Sequence, residues 1–103
     1  MSDQRPPAKK QPIHVQMDEA TSRGAYANVA RVVHSQSEFV LDAMFLPPRS
    51  HHARVVSRLI LTPVHAKRLL QALTQNVRNY EASFGEIQLP LPDGSNEPDP
   101  FLH

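Results

Sequence analysis

The chemically capable residues of this chain are six histidines and a close pair of carboxylates. His34, His51, His52 and His65 lie within one central span, with Glu38 and Asp42 nearby as candidate acids for a His₃ or His₂–carboxylate centre. The spacing does not favour one. No H-x-x-x-H or H-E-x-x-H occurs, and adjacent His51 and His52 cannot easily share a face. There is no cysteine, which removes thiol nucleophiles, disulfides and Cys-based metal sites. Glu38 and Asp42, four apart on a strand, share a face with Val40 between them, and paired carboxylates can do acid/base work. Arg54 and Arg58 fall on the same face of the next strand, so a cross-strand row of ion pairs is the preferred reading of all four. Thr62-Pro63-Val64-His65, followed by Lys67-Arg68, offers free N–H groups and positive charge to an anion. No Gly-rich loop accompanies it, and a capped helix with a solvated basic turn is the preferred reading. Neither a catalytic set, a metal site nor a cofactor site is expected.

Charge is unevenly laid out beneath a net +1. Residues 43–80 hold Arg49, Arg54, Arg58, Lys67, Arg68 and Arg78 with no acid, and residues 81–103 hold Glu81, Glu86, Asp93, Glu97 and Asp99 with no base. A basic middle of this kind raises contact with nucleic-acid phosphates, or with another polyanion or partner, through Arg49, Arg54, Lys67, Arg68 and Arg78. Phe45 and Tyr80 are the only aromatics in the span, too few for base stacking.

The elements that position these groups follow from periodicity. Of ten prolines, all but Pro63 lie near the ends or in Pro47-Pro48. Residues 1–12 are expected to be a disordered arm, 13–87 a single α+β domain, and 88–103 an extended or disordered, acidic, proline-rich tail. The expected sheet is antiparallel, with three to four strands at about 13–17, 25–34, 38–46 and 53–61. Asp18 to Gly24 reads as a loop or bulge. With the first turn centred on Ser35-Gln36, Val32 faces Phe39 and Ala30 faces Leu41. With the second turn near Arg49, Leu41 faces Ser57 and Phe39 faces Leu59. One face then gathers Tyr26, Ala30, Val32, Phe39, Leu41, Ala43, Phe45, Val55, Leu59 and Leu61. The other gathers Val29, Val33, Val40, Met44, Val56 and Ile60 among Arg31, Glu38, Asp42, Arg54 and Arg58.

A helix at about 63–84 follows. Thr62 is its N-cap, Pro63 its first residue and Gly85 its stop. Ala66, Leu69, Leu70, Leu73, Val77, Tyr80 and Phe84 make a single apolar stripe, expected to cross and bury the purer apolar sheet face. The second face, with no cover in the chain, is the expected oligomer interface: Val29, Arg31, Val33, Val40, Met44, Val56, Arg58 and Ile60.

Several short patterns resemble a known family. They are Tyr26 and Asn28, His34-Ser35, Glu38 to Asp42, Pro63 to Lys67, Tyr80-Glu81 and Phe84-Gly85. Together they are similar to the uncharacterised bacterial and archaeal family named domain of unknown function 3467, over about residues 13–87. Ala43 stands where that family often has an aromatic, and the proline-rich tail lies outside the pattern. The resemblance implies no activity. The order of strands and long helix also resembles the SecB-type chaperone fold in topology, which implies assembly through sheets.

With no apolar run near the ~18 residues of a membrane span and no signal-peptide core, the protein is expected in the cytoplasm without a membrane partner. The expected function is that of a non-enzymatic, protein-binding oligomer, a dimer or larger, acting as adaptor or chaperone-like subunit on an unidentified protein. The alternative is a nucleic-acid-associated protein working through the basic 49–78 region.

Overall fold

A computed structural model describes residues 12–90. Its elements are α1 (Glu19–Ser22), β1 (Val29–His34), β2 (Phe39–Phe45), β3 (Arg54–Leu61) and α2 (Pro63–Phe84). The strands form one antiparallel sheet in the order β1-β2-β3, and the arrangement is the expected α+β one, a sheet followed by a long helix. The arm and the tail beyond residue 90 lie outside the described residues, apart from Pro12.

Both hairpins are two residues out of the expected register. Val32 pairs with Leu41 and His34 with Phe39. Leu41 pairs with Leu59 and Phe39 with Leu61. The cause in the first hairpin is the turn: Ser35 N–H donates to the Glu38 carbonyl at 2.9 Å, so Gln36-Ser37 rather than Ser35-Gln36 forms the loop. A shift of two preserves side-chain parity, so the expected faces survive where a shift of one would have exchanged them. The second turn closes by Ser50 N–H donating to the Pro47 carbonyl at 3.2 Å, with Arg49 in the left-handed region at φ 63.

Parity fails at one place. Ala43 pairs with Ser57 but Met44 with Val55, a β-bulge that leaves Val56 as the extra residue. Val55, expected on the purer apolar face, therefore stands opposite Met44, and Arg54 opposite Phe45.

Two further expectations are corrected. Residues 13–17 form no strand; Ile13, Val15 and Met17 are exposed and extend no ladder among the described residues. Alternation alone does not make a strand: these residues take up neither of the open edges, that of β1 or that of β3. Residues 19–22 form the short helix α1, where a loop or bulge was expected. The Asp18 carboxylate accepts from Thr21 N–H at 2.8 Å, Arg23 pairs with Glu19 at 2.8 Å, and Gly24 at φ 73 ends the turn. One helical turn is too short for periodicity to register.

The helix begins and ends where its caps say. His65 N–H donates to Thr62 Oγ1 at 3.3 Å and Pro63 leads the first turn. Gly85, at φ 97, donates its N–H to the Glu81 carbonyl at 2.9 Å. The Glu81 carboxylate takes the next free donor, Ile87 N–H, at 2.9 Å.

What α2 does not do is bury the sheet. Leu70 is 63% exposed, Leu73 59% and Phe84 76%. The reason is placement: α2 lies chiefly beside β3 and is not laid across the sheet. The 22 residues of α2 span about 33 Å at ~1.5 Å per residue. Only the first turns of α2 flank the sheet, and the rest overhangs. Among the described residues only Met44, at 4% exposure, and Asp42, at 1%, are buried.

Candidate functional site

Two surfaces emerge, one on each face of the sheet. On the first, Val32, Phe39, Leu41 and Leu61 of the sheet and Pro63, Ala66, Leu69, Leu70 and Leu73 of α2 wall an open groove of about 560 Å³. Lys67 at its rim is the only charged residue lining it. An apolar concavity with so little polar chemistry can bind apolar side chains but has nothing to orient or polarise a reacting bond.

The opposite face carries a three-strand charge row. Arg31, Asp42 and Arg58 are direct partners across β1, β2 and β3. Arg58 grips the carboxylate with both ends, Nε to Oδ1 at 2.7 Å and Nη2 to Oδ2 at 3.0 Å, and Arg31 Nη2 donates to Oδ2 at 2.9 Å. The Arg58 hydrogen bonds, and after them that of Arg31, hold the Asp42 carboxyl down at about 2, and Asp42 in return raises Arg58. A carboxylate so firmly ionised is a poor proton acceptor near neutral pH, so acid/base work is not what this geometry offers.

The expected row therefore forms with different members. Arg31 takes the place foreseen for Arg54, which the bulge sets opposite Phe45. Glu38 lies in the turn before β2, its carbonyl used by Ser35, and it makes no ion pair among the described residues. Of the expected interface residues on this face, Met44 is already buried, Arg31 and Arg58 are tied to Asp42, and Val29, Val40 and Val56 are half-buried. Val33 and Ile60 stay exposed.

The histidines do not converge. His34 stacks on Phe39 with centroids 5.3 Å apart, and His65 Nδ1 meets Thr62 Oγ1 at 3.0 Å. His51 and His52 are exposed in the β2–β3 loop. No cluster of three or more His, Asp or Glu placed to hold a metal occurs among the described residues. Arg49, Arg54, Lys67, Arg68 and Arg78 are all exposed, and none makes an ion pair among the described residues. They are spread over a loop, β3 and both halves of α2. The possible anion site at the α2 N-terminus is partly filled from within, because Thr62 Oγ1 occupies the His65 N–H.

One residue in the resemblance pattern has a role that periodicity does not show. Asn28 Nδ2 donates to the Leu46 carbonyl at 2.9 Å, and its Oδ1 accepts from Leu46 N–H at 2.8 Å. Its own N–H donates to the Met44 carbonyl at 3.0 Å. The side-chain amide thus acts as one more rung of the β1–β2 ladder. Tyr26 adds an edge-on contact to Phe45, centroids 5.8 Å apart. The signal was an Asn placed just before the first strand, a residue whose amide mimics a peptide group.

The family model for "Protein of unknown function (DUF3467)" matches residues 1–89, and the chain belongs to that family. No curated protein and no solved structure matches the chain, and the likeness to the SecB-type fold stays an expectation of topology. No helix of the described residues is long and apolar enough to cross a membrane.

Proposed function

We infer that the protein is a non-enzymatic subunit of an oligomer, a dimer or larger, and acts by binding other protein as an adaptor or chaperone-like module. One observation carries this reading: among the described residues only two are buried, beside a long helix whose apolar stripe is largely exposed. A chain with so thin a core is marginal alone and gains most of its stability from a partner. Support also comes from the patterned residues, whose visible roles are architectural: Asn28 a ladder rung, Ser35 a turn, Pro63 and His65 a helix start, Glu81 and Gly85 a helix stop.

The test has two parts. Light scattering at micromolar concentration should give at least a dimer, and a strict monomer would sink the oligomer reading. Equimolar protein should suppress aggregation of a chemically unfolded model protein, and unchanged turbidity would remove the chaperone-like reading. The nucleic-acid alternative draws on the exposed Arg49, Arg54, Lys67, Arg68 and Arg78, and ranks second because they form no single patch along the elements. A salt-sensitive mobility shift abolished by neutralising Lys67 and Arg68 would reverse that ranking.

A further inference from the structure

We propose that α2 pairs antiparallel with α2 of a second copy, about a two-fold axis at the level of Gln75, and that the partner helix closes the apolar groove. The proposal rests on the oligomer reading above and names the partner and its geometry.

The spacing along α2 carries the first part of the argument. Ala66, Leu70, Leu73, Val77, Tyr80 and Phe84 follow one another at steps of 4, 3, 4, 3 and 4. That is an uninterrupted a/d seam, the pattern of helices that pack side by side. Leu70, Leu73, Tyr80 and Phe84 along it are exposed in the single chain. The outward side is polar, with Gln75 Nε2 bonded to Asn79 Oδ1 at 3.0 Å, so one stripe and not the whole helix seeks a partner.

Direction follows from size and charge. Antiparallel pairing about Gln75 sets Ala66 against the partner's Phe84, Leu70 against the partner's Tyr80, and Leu73 against the partner's Val77. The smallest residue of the seam meets an aromatic ring. Parallel pairing would set Ala66 on Ala66 and Phe84 on Phe84, leaving a gap at one end and crowding at the other. The flanking charges agree. Lys67 and Glu81 occupy equivalent positions on the same side of the seam, and antiparallel pairing brings each beside the other on the partner, twice per dimer. Glu81 uses Oε2 for Ile87 N–H, which leaves Oε1 for the Lys67 ammonium. Parallel pairing would give neither charge an opposite partner.

The groove supplies the third argument. Ala66 and Leu70 form part of its wall, next to Leu61 and Phe39. The partner's Phe84 and Tyr80, whose rings meet at a tilt of 47° with centroids 5.0 Å apart, arrive there as a preformed aromatic pair. The exposed part of the Leu69–Phe84 stripe amounts to roughly 650 Å² per subunit, at ~200 Å² for a large apolar side chain. A standard interface takes about 800 Å² per partner, so the stripe with the groove walls suffices. The sheet edges and the exposed Val33 and Ile60 stay outside this contact and remain for other protein.

The native chain has no cysteine, so introduced thiols report cleanly. With a short bis-maleimide cross-linker, Thr74→Cys protein should cross-link to itself, because position 74 flanks the axis. A mixture of Lys67→Cys and Glu81→Cys chains should cross-link to each other, and neither should do so alone. Self-cross-linking of Leu70→Cys would indicate parallel helices and overturn the proposal. Lys67→Glu should weaken the dimer about tenfold, and adding Glu81→Lys in the same chain should restore it. A dimer by light scattering without the Thr74 and the mixed cross-links would refute this geometry and leave the oligomer reading intact. A monomer would refute both.

Discussion

Asn28 offers the sharpest check on how the sheet is held. Its amide makes two hydrogen bonds to the Leu46 peptide unit, at 2.8 and 2.9 Å. Asn28→Ala deletes both and leaves the Leu46 N–H and carbonyl to find water. The side chain is exposed, so solvent recovers part of the loss. Two neutral bonds at a net ~0.5–1.5 kcal/mol each, taken toward the low end, give a cost of about 1–2 kcal/mol. In a domain of this size that lowers Tm by roughly 4–8 °C per kcal/mol. Asn28→Asp separates the two bonds. An ionised carboxylate still accepts from Leu46 N–H but now opposes the Leu46 carbonyl, so near neutral pH this variant should be no more stable than the alanine one. Protonation restores a donor, and its deficit should shrink as pH falls through the carboxylate range. The assay is thermal unfolding followed by circular dichroism at one fixed protein concentration, since self-association makes Tm concentration-dependent. Unchanged Tm in both variants would refute the ladder role of the amide.

Three further outcomes follow from other sites. Thr62→Ala removes the acceptor for His65 N–H and should cost about 1 kcal/mol, whereas Thr62→Ser should retain most of it; equal losses in denaturant titration would argue against the cap. Arg49 sits at φ 63, where a side chain carries strain. Arg49→Gly should therefore raise the unfolding midpoint, by up to about 1 kcal/mol, and a clear drop would show that its side chain matters more than its backbone. The Asp42 carboxyl titrates at about 2 in the folded chain against an ordinary 3.8. A lowered folded pKa means that the unfolded chain takes up the proton first, so this contribution is full above about pH 4. It is lost as pH falls toward 2, and Asp42→Asn should flatten that acid limb in unfolding measured against pH.

Parity made much of the sheet legible without coordinates. The two faces were readable because strand side chains alternate with period two, and a two-residue error in each turn left that alternation untouched. The limits of α2 were readable for a different reason: Thr62, Pro63 and Gly85 satisfy or release backbone groups by local chemistry that needs no tertiary neighbour. The cross-strand charge row was readable in kind, but its membership turned on the two-residue shifts that set Arg31 and Arg58 opposite Asp42 and on the bulge at Val56 that displaced Arg54. Asn28 stood in a recognisable pattern, yet its partner Leu46 lies 18 residues away, on the far side of a hairpin.

Sequence by itself therefore determined the run of three strands and a long helix, most of the facial sorting and the caps of α2, because each depends on covalent periodicity or on groups within a few residues. Tertiary structure decided which arginines meet Asp42, that Ile13 to Met17 finds no strand partner among the described residues, and how much of α2 the sheet can cover. Those are matters of placement: α2 lies chiefly beside β3, and only the assembled strands show how little of its stripe they meet.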